Sequence, residues 1–204
     1  MGFVAHVEGK EESLFAEYSK ILNDGPMKGK GVLNYLGSHD DHDSYDRKRQ
    51  KTYEAAFKLM MSPGGVQIYY GDELARPMHA KGALGDANMR SFMNWQDLSN
   101  EKTQALLSHW QKLGTFRREH QAVGAGKHTQ LQASPYVFKR ELSNKDKVLV
   151  AKGLPKGKKS VSVFGLFEED QELLEYYSGK TLTVENGKVS FSSQYEYLLL
   201  GQQQ

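Results

Sequence analysis

The hydrophobic pattern of this chain changes period once, after Gly126, and that change restricts its architecture more than any other feature of its 204 residues. Before that point, strand-like apolar runs alternate with segments of helical period. Phe3 to Val7, Val32 to Leu36 and Val66 to Tyr70 are the strand-like runs. Between them Leu14, Phe15, Tyr18, Ile21 and Leu22, and then Tyr53, Ala56, Phe57, Met60 and Met61, recur at the spacing that gathers apolar groups on one helix face. Asn23-Asp24-Gly25-Pro26 and Ser62-Pro63-Gly64-Gly65 stop these two helices. Strands alternating with helices build parallel sheets through βαβ crossovers. The third strand is followed by a connection from Gly71 to about Ser99, far beyond the usual length of about 4 to 6 residues, and loops of that size are functional or disordered. A longer helix then carries Leu106, Leu107, Trp110 and Leu113 on one face.

After Gly126 the pattern alternates and turn signals crowd together. Tyr136 to Arg140, Val148 to Ala151, Val161 to Phe164, Thr181 to Val184, Val189 to Phe191 and Tyr195 to Leu200 are predicted strands. Asn186-Gly187 predicts a type I′ hairpin, whose two central residues both need positive φ. Short strands without intervening helices predict a small antiparallel β-sandwich. The expected fold class is therefore α/β plus all-β, with a boundary near residue 120 dividing 1–120 from 121–204.

A formal charge of +2 gives no electrostatic drive toward nucleic acid or an anionic membrane. The lysines from Lys139 to Lys159 alternate with apolar strand residues and fit solvated edges that discourage aggregation. No apolar run approaches the roughly 20 residues that span a bilayer. The absence of cysteine removes disulfides and thiolate metal sites.

The densest polar cluster, Ser38-His39-Asp40-Asp41-His42-Asp43, lies just past the end of an apolar strand, where α/β folds collect reactive groups. Closely spaced His and Asp residues suit a divalent metal ion. They equally suit a sugar site, where a carboxylate and an imidazole bond hydroxyls and negative charge favours an oxocarbenium-like transition state. A third reading has His39 and Asp40 merely capping the next turn. In the long loop, Asp72 and Glu73 either shape the backbone or face a ligand, Arg90 is an ion-pair partner or a substrate contact, and Trp95 is local core or a stacking surface.

Asn34-Tyr35-Leu36-Gly37-Ser38-His39-Asp40-Asp41 resembles the seventh-strand motif of the α-amylase family of glycoside hydrolases. Gly65-Val66-Gln67-Ile68-Tyr69-Tyr70-Gly71-Asp72-Glu73 resembles the family's eighth-strand run, and Arg90-Ser91-Phe92-Met93-Asn94-Trp95 is similar to its Arg-x-x-Met-x-Trp segment. The resemblance implies the carboxy-terminal part of a (β/α)8 TIM barrel, about strands six to eight, followed by a β-sandwich. It implies a parent enzyme acting on α-glucans such as starch and maltooligosaccharides by a retaining mechanism. Asp40 then corresponds to the family's third, transition-state-stabilising acid, with His39, Tyr70, Asp72 and Arg90 as substrate contacts. The family's nucleophilic Asp and acid Glu follow the fourth and fifth strands. Glu8 falls on the sixth and matches neither, so the isolated chain is expected to be catalytically incomplete. No cofactor is expected from this chain, although the resemblance allows calcium in the complete enzyme. The expected partners are an α-glucan and either a second copy or the missing amino-terminal half, which would cover the open edge of a partial barrel. Two further functions fit the same residues: a non-catalytic glucan-binding or assembly module, and a metal-dependent phosphohydrolase using His39, Asp40, His42 and Asp43.

Overall fold

The computed structural model describes residues 10–40, 43–143 and 146–203. The predicted strand Phe3 to Val7, Glu8, Asp41 and His42 lie outside the described residues.

Helix α1 (Glu11–Asn23) opens with two glutamates and ends near Lys20, charges that complement the helix dipole. It buries Leu14, Phe15 and Tyr18 on one face. Strand β1 (Leu33–Tyr35), helix α2 (Thr52–Met60) and strand β2 (Gly65–Gln67) form a βαβ unit, with β1 and β2 parallel and Asn34 opposite Val66. Asn34 is fully buried within β1, and its amide donates to the carbonyls of Pro63 and Gly65 at 2.8 and 3.0 Å, fixing the entry to β2. The strand predicted over Val66 to Tyr70 is shorter than expected: pairing ends at Gln67 because its partner β1 ends at Tyr35. The loop beyond carries three 3-10 turns, Asp72–Leu74, Gly85–Arg90 and Trp95–Ser99.

Helix α3 (Glu101–Glu119) buries Leu106, His109, Trp110, Leu113 and Phe116, an i, i+3, i+4, i+7 stripe. Asn100 caps it, its side-chain oxygen accepting from the Lys102 amide at 2.9 Å. Asn100→Ala is expected to cost about 1 kcal/mol of stability, readable as a lowered urea midpoint with unchanged slope. Arg117 ties α3 to the end of α2 by donating to the carbonyls of Met60 and Ser62 at 2.7 and 2.9 Å and to that of Gly64. Burial lowers the pKa of its guanidinium to about 10.

After a short helix α4 (Ala122–Ala125), eight strands follow: β3 (Lys127–Gln132), β4 (Tyr136–Leu142), β5 (Asp146–Lys152), β6 (Gly157–Ser162), β7 (Glu172–Glu175), β8 (Lys180–Thr183), β9 (Lys188–Ser193) and β10 (Tyr197–Gly201). Six of them form an antiparallel sheet in the order β3-β4-β5-β10-β7-β8, and β6 pairs with β9 in a second, two-stranded sheet. The larger sheet is covered on both faces. Tyr136, Phe138, Val148, Val150, Tyr197 and Leu199 pack against α1, α2 and α3 in one core. Their immediate neighbours Val137, Leu149, Ala151, Leu198 and Leu200 pack against Val161, Val189 and Phe191 of the small sheet in another. This division is the period of two expected of a pleated strand. It also explains why Val148 to Ala151 and Tyr197 to Leu200 are continuously apolar, as strands buried on both faces are.

Asn186 and Gly187 both take positive φ, 53° and 68°, as the turn chemistry demands. The expected hairpin differs in one respect, because β8 pairs with β7 and β9 with β6. The turn, closed by a bridge between Glu185 and Lys188, is where the chain crosses between sheets. Among the described residues no helix is long and apolar enough to cross a membrane.

Candidate active site

Beyond the carboxyl end of β1 the chain turns sharply at Gly37, where a Cβ would meet the Ser44 hydroxyl at 2.5 Å. The amide of Asp40 donates to the Ser38 hydroxyl at 3.2 Å, which closes the next turn and sends the side chains of His39 and Asp40 outward. One oxygen of the Asp40 carboxylate lies 2.9 Å from His39 Nε2, and the other accepts from Arg90 Nη2 at 2.8 Å. Arg90 Nε also donates to the His39 carbonyl at 3.4 Å. The three side chains are 59%, 60% and 56% exposed, so an anionic, hydrogen-bonding cluster faces solvent. The turn is capped by Ser38, while the Asp40 carboxylate is engaged by a group 50 residues away.

Arg90 is held in place from below. Arg76 is fully buried and folds back so that Nε donates to the Tyr70 carbonyl at 2.9 Å. Its other nitrogens donate to the Met89 and Ser91 carbonyls at 3.2 Å each, and also to the Ser91 hydroxyl. The guanidinium sits 3.9 Å from the centre of the Tyr70 ring, a cation–π contact. Gly71 makes this possible: its φ is 85°, and a Cβ there would meet Arg76 Cβ at 2.5 Å. Tyr69 and Tyr70 complete the clamp by donating to the Met89 and Ser91 carbonyls at 2.9 and 2.8 Å. Both residues flanking Arg90 are therefore pinned through their carbonyls.

Tyr70 is 43% exposed with its hydroxyl committed to the loop, so it reaches the cluster through Ser91 and not directly. Asp72 goes elsewhere. Its carboxylate is buried and accepts from Arg49 Nη2 at 2.8 Å, while Arg49 Nε donates to the Arg76 carbonyl at 2.9 Å. Burial pushes the Asp72 carboxyl above its ordinary range, with the Arg49 guanidinium pulling the other way. From this position Asp72 anchors the loop and contacts no ligand at the surface. Trp95 is 66% exposed and is not the local core of its loop; Met89, together with Tyr69 and Met78, fills that role. Arg76 and Arg49 were invisible in sequence. One precedes a proline, the other lies in a basic run, and neither position signals burial.

Among the described residues no three His, Asp or Glu side chains are grouped to hold a metal ion. The site as described therefore does not fit calcium or the divalent ion that a phosphohydrolase would need.

Comparison with known proteins agrees with the geometry. No protein-family model matches the chain. Over 125 residues it is 46% identical to the periplasmic alpha-amylase of Escherichia coli (strain K12), a match taking in 61% of this chain and 18% of that protein. The crystal structure of an α-amylase from Geobacillus thermoleovorans complexed with acarbose superposes with a TM-score of 0.61 at 18% identity, covering 92% of this chain and 42% of that one. AmyP in complex with maltose gives 0.59 at 17% identity, covering 97% and 47%. The chain is thus related to the α-amylase family of glycoside hydrolases. It spans less than half the length of each of these relatives, and such partial coverage is consistent with a carboxy-terminal portion.

Proposed function

We propose that this chain contributes one wall of the active site of a retaining, α-glucan-acting hydrolase, with Asp40 as the carboxylate that stabilises the transition state. The observation that carries this proposal is the convergence of His39, Asp40 and Arg90 beyond a parallel strand, in a chain 46% identical over 125 residues to an alpha-amylase. Residues 1–120 then supply the last strands of a (β/α)8 barrel, with β1 and β2 as the seventh and eighth, and residues 121–204 a β-sandwich. Active sites of such barrels lie at the carboxyl ends of the strands. Leu33 and Ile68, 50% and 46% exposed, are apolar groups that a preceding barrel strand or a second copy would cover.

Positive charge builds at the anomeric carbon as the glycosidic bond breaks. The Asp40 carboxylate, oriented by His39 and Arg90, meets that charge while the imidazole bonds sugar hydroxyls. Retaining hydrolysis also needs a nucleophile and a proton donor about 5 to 5.5 Å apart, and Asp40 is bonded to a cation and an imidazole instead. Those two carboxyl groups belong, in this proposal, to polypeptide outside these 204 residues. The substrates are maltooligosaccharides, by analogy with the maltose and maltotriose complexes of AmyP.

The test is an assay of the purified chain on starch and maltoheptaose. No reducing sugar is expected above the blank. Turnover that survives Asp40→Asn would overturn both the incompleteness of the chain and the role of Asp40.

A further inference from the structure

Phe92 is 98% exposed, and Trp95, three residues on, is 66% exposed. Leaving a phenyl ring in water forgoes about 1.5–3 kcal/mol that burial would supply, and a loop free to move would tuck it away. This loop is not free. Ser91, the residue before Phe92, has its carbonyl bonded to Tyr70 and Arg76 and its hydroxyl donating to the Pro77 carbonyl at 2.5 Å. Asn94, two residues after, is buried, and its amide donates to the Leu74 carbonyl at 3.1 Å and to Asp97 at 2.6 Å. The backbone is thus fastened on both sides of Phe92, so the exposure is imposed by a rigid frame.

The place of the exposure matters as much as its extent. Arg90, two residues before Phe92, is the residue that bonds Asp40 and the His39 carbonyl. Two residues of extended chain span at most about 7 Å, so the ring stands within one sugar unit of the cluster. An aromatic face and the C–H face of a pyranose are complementary, since both are apolar and flat while the hydroxyls around the sugar's rim stay in water. Ligand sites combine such aromatic surfaces with a few placed polar groups, which is the pairing of Phe92 with Asp40, His39 and Arg90.

The geometry points to Phe92, with Trp95 beside it, as a stacking platform for the glucosyl unit adjoining the one held at Asp40. This rests on the reading of Asp40 as a sugar-binding carboxylate. It makes the Arg90–Trp95 segment a determinant of chain length, because a maltose unit at Asp40 alone would leave the platform empty while a longer oligosaccharide would occupy it.

The chain has two tryptophans, and Trp110 is buried at 5% exposure, so ligand-dependent changes in emission or acrylamide quenching report on Trp95. Maltoheptaose titrated into the unmodified chain is expected to change that emission saturably. By calorimetry, Phe92→Ala should weaken binding about three- to tenfold, with Phe92→Tyr restoring it. Both substitutions are at the surface, and thermal melts should coincide with the unmodified chain. An unchanged Kd for Phe92→Ala, with Asp40→Asn weakened, would remove the platform and leave the Asp40 site standing. An unchanged Kd for Asp40→Asn, with Phe92→Ala weakened, would do the reverse. Neither heat nor emission change with the unmodified chain would overturn both.

Discussion

In the complete hydrolase, Asp40→Asn is expected to lower kcat by about 10²- to 10³-fold, the range seen when one preorganised electrostatic stabiliser is removed, with KM little changed. Asparagine keeps the size of the side chain and an oxygen to accept from Arg90. What it loses is the negative charge, and that charge matters most when the sugar is most positive. An interaction stronger in the transition state than in the ground state appears in kcat and not in KM. Steady-state kinetics on maltoheptaose separate the cases. A raised KM at constant kcat would reduce Asp40 to a ground-state binding residue.

Acidification between pH 7 and pH 5 is expected to destabilise the fold, with buried His109 responsible for about 2 kcal/mol of the loss. Its Nδ1 lies 2.7 Å from the Tyr177 hydroxyl and its Nε2 3.1 Å from the Tyr53 carbonyl, so the neutral ring donates from Nε2 and accepts at Nδ1. A second proton would turn the Tyr177 hydroxyl away, and burial holds the pKa at about 4. His128 adds in the same direction. Burial first, and then the neighbouring Arg140 guanidinium, lower its pKa to about 3. Both folded values lie below the unfolded value of about 6.5, so the unfolded chain takes up protons first. Stability is therefore fully present above about pH 6.5 and falls as the pH drops toward 4 and 3. Urea midpoints at pH 7, 6 and 5 measure this, and His109→Gln should flatten the slope. A midpoint independent of pH over that interval would contradict the assignment.

Much of this was legible in sequence because the signals were local. The helical stripe Leu106, Trp110, Leu113 and the apolar runs of β5 and β10 follow directly from burial. The exceptions share a cause, since in each a polar residue does structural work. Strand β3, Lys-His-Thr-Gln-Leu-Gln, lies at the edge of the sheet and is almost wholly exposed, so it shows no alternation. Strand β7 is four residues long and ends in Glu175. That carboxylate is fully buried and accepts from the backbone amides of Tyr177, Ser178 and Leu199 at 2.8, 2.7 and 3.1 Å. An acid used in this way reads as surface in one dimension. At the site, His39, Asp40 and Arg90 stood out by chemistry and resemblance, but the Arg76 clamp needs Gly71 and three distant carbonyls to exist at all.

The sheet covered on both sides has a bearing on how this protein tolerates rearrangement. Tyr136, Phe138 and Tyr197 of the later strands rest on Phe15 and Phe57 of the first two helices, with ring centres 5.4 to 6.4 Å apart. A graft that moved only residues 121–204 onto another enzyme would strip that aromatic layer bare and invite aggregation. Gene fusions or circular permutations that preserve solubility would have to carry α1 to α3 along with the strands, making the helices and the sheet a single heritable block.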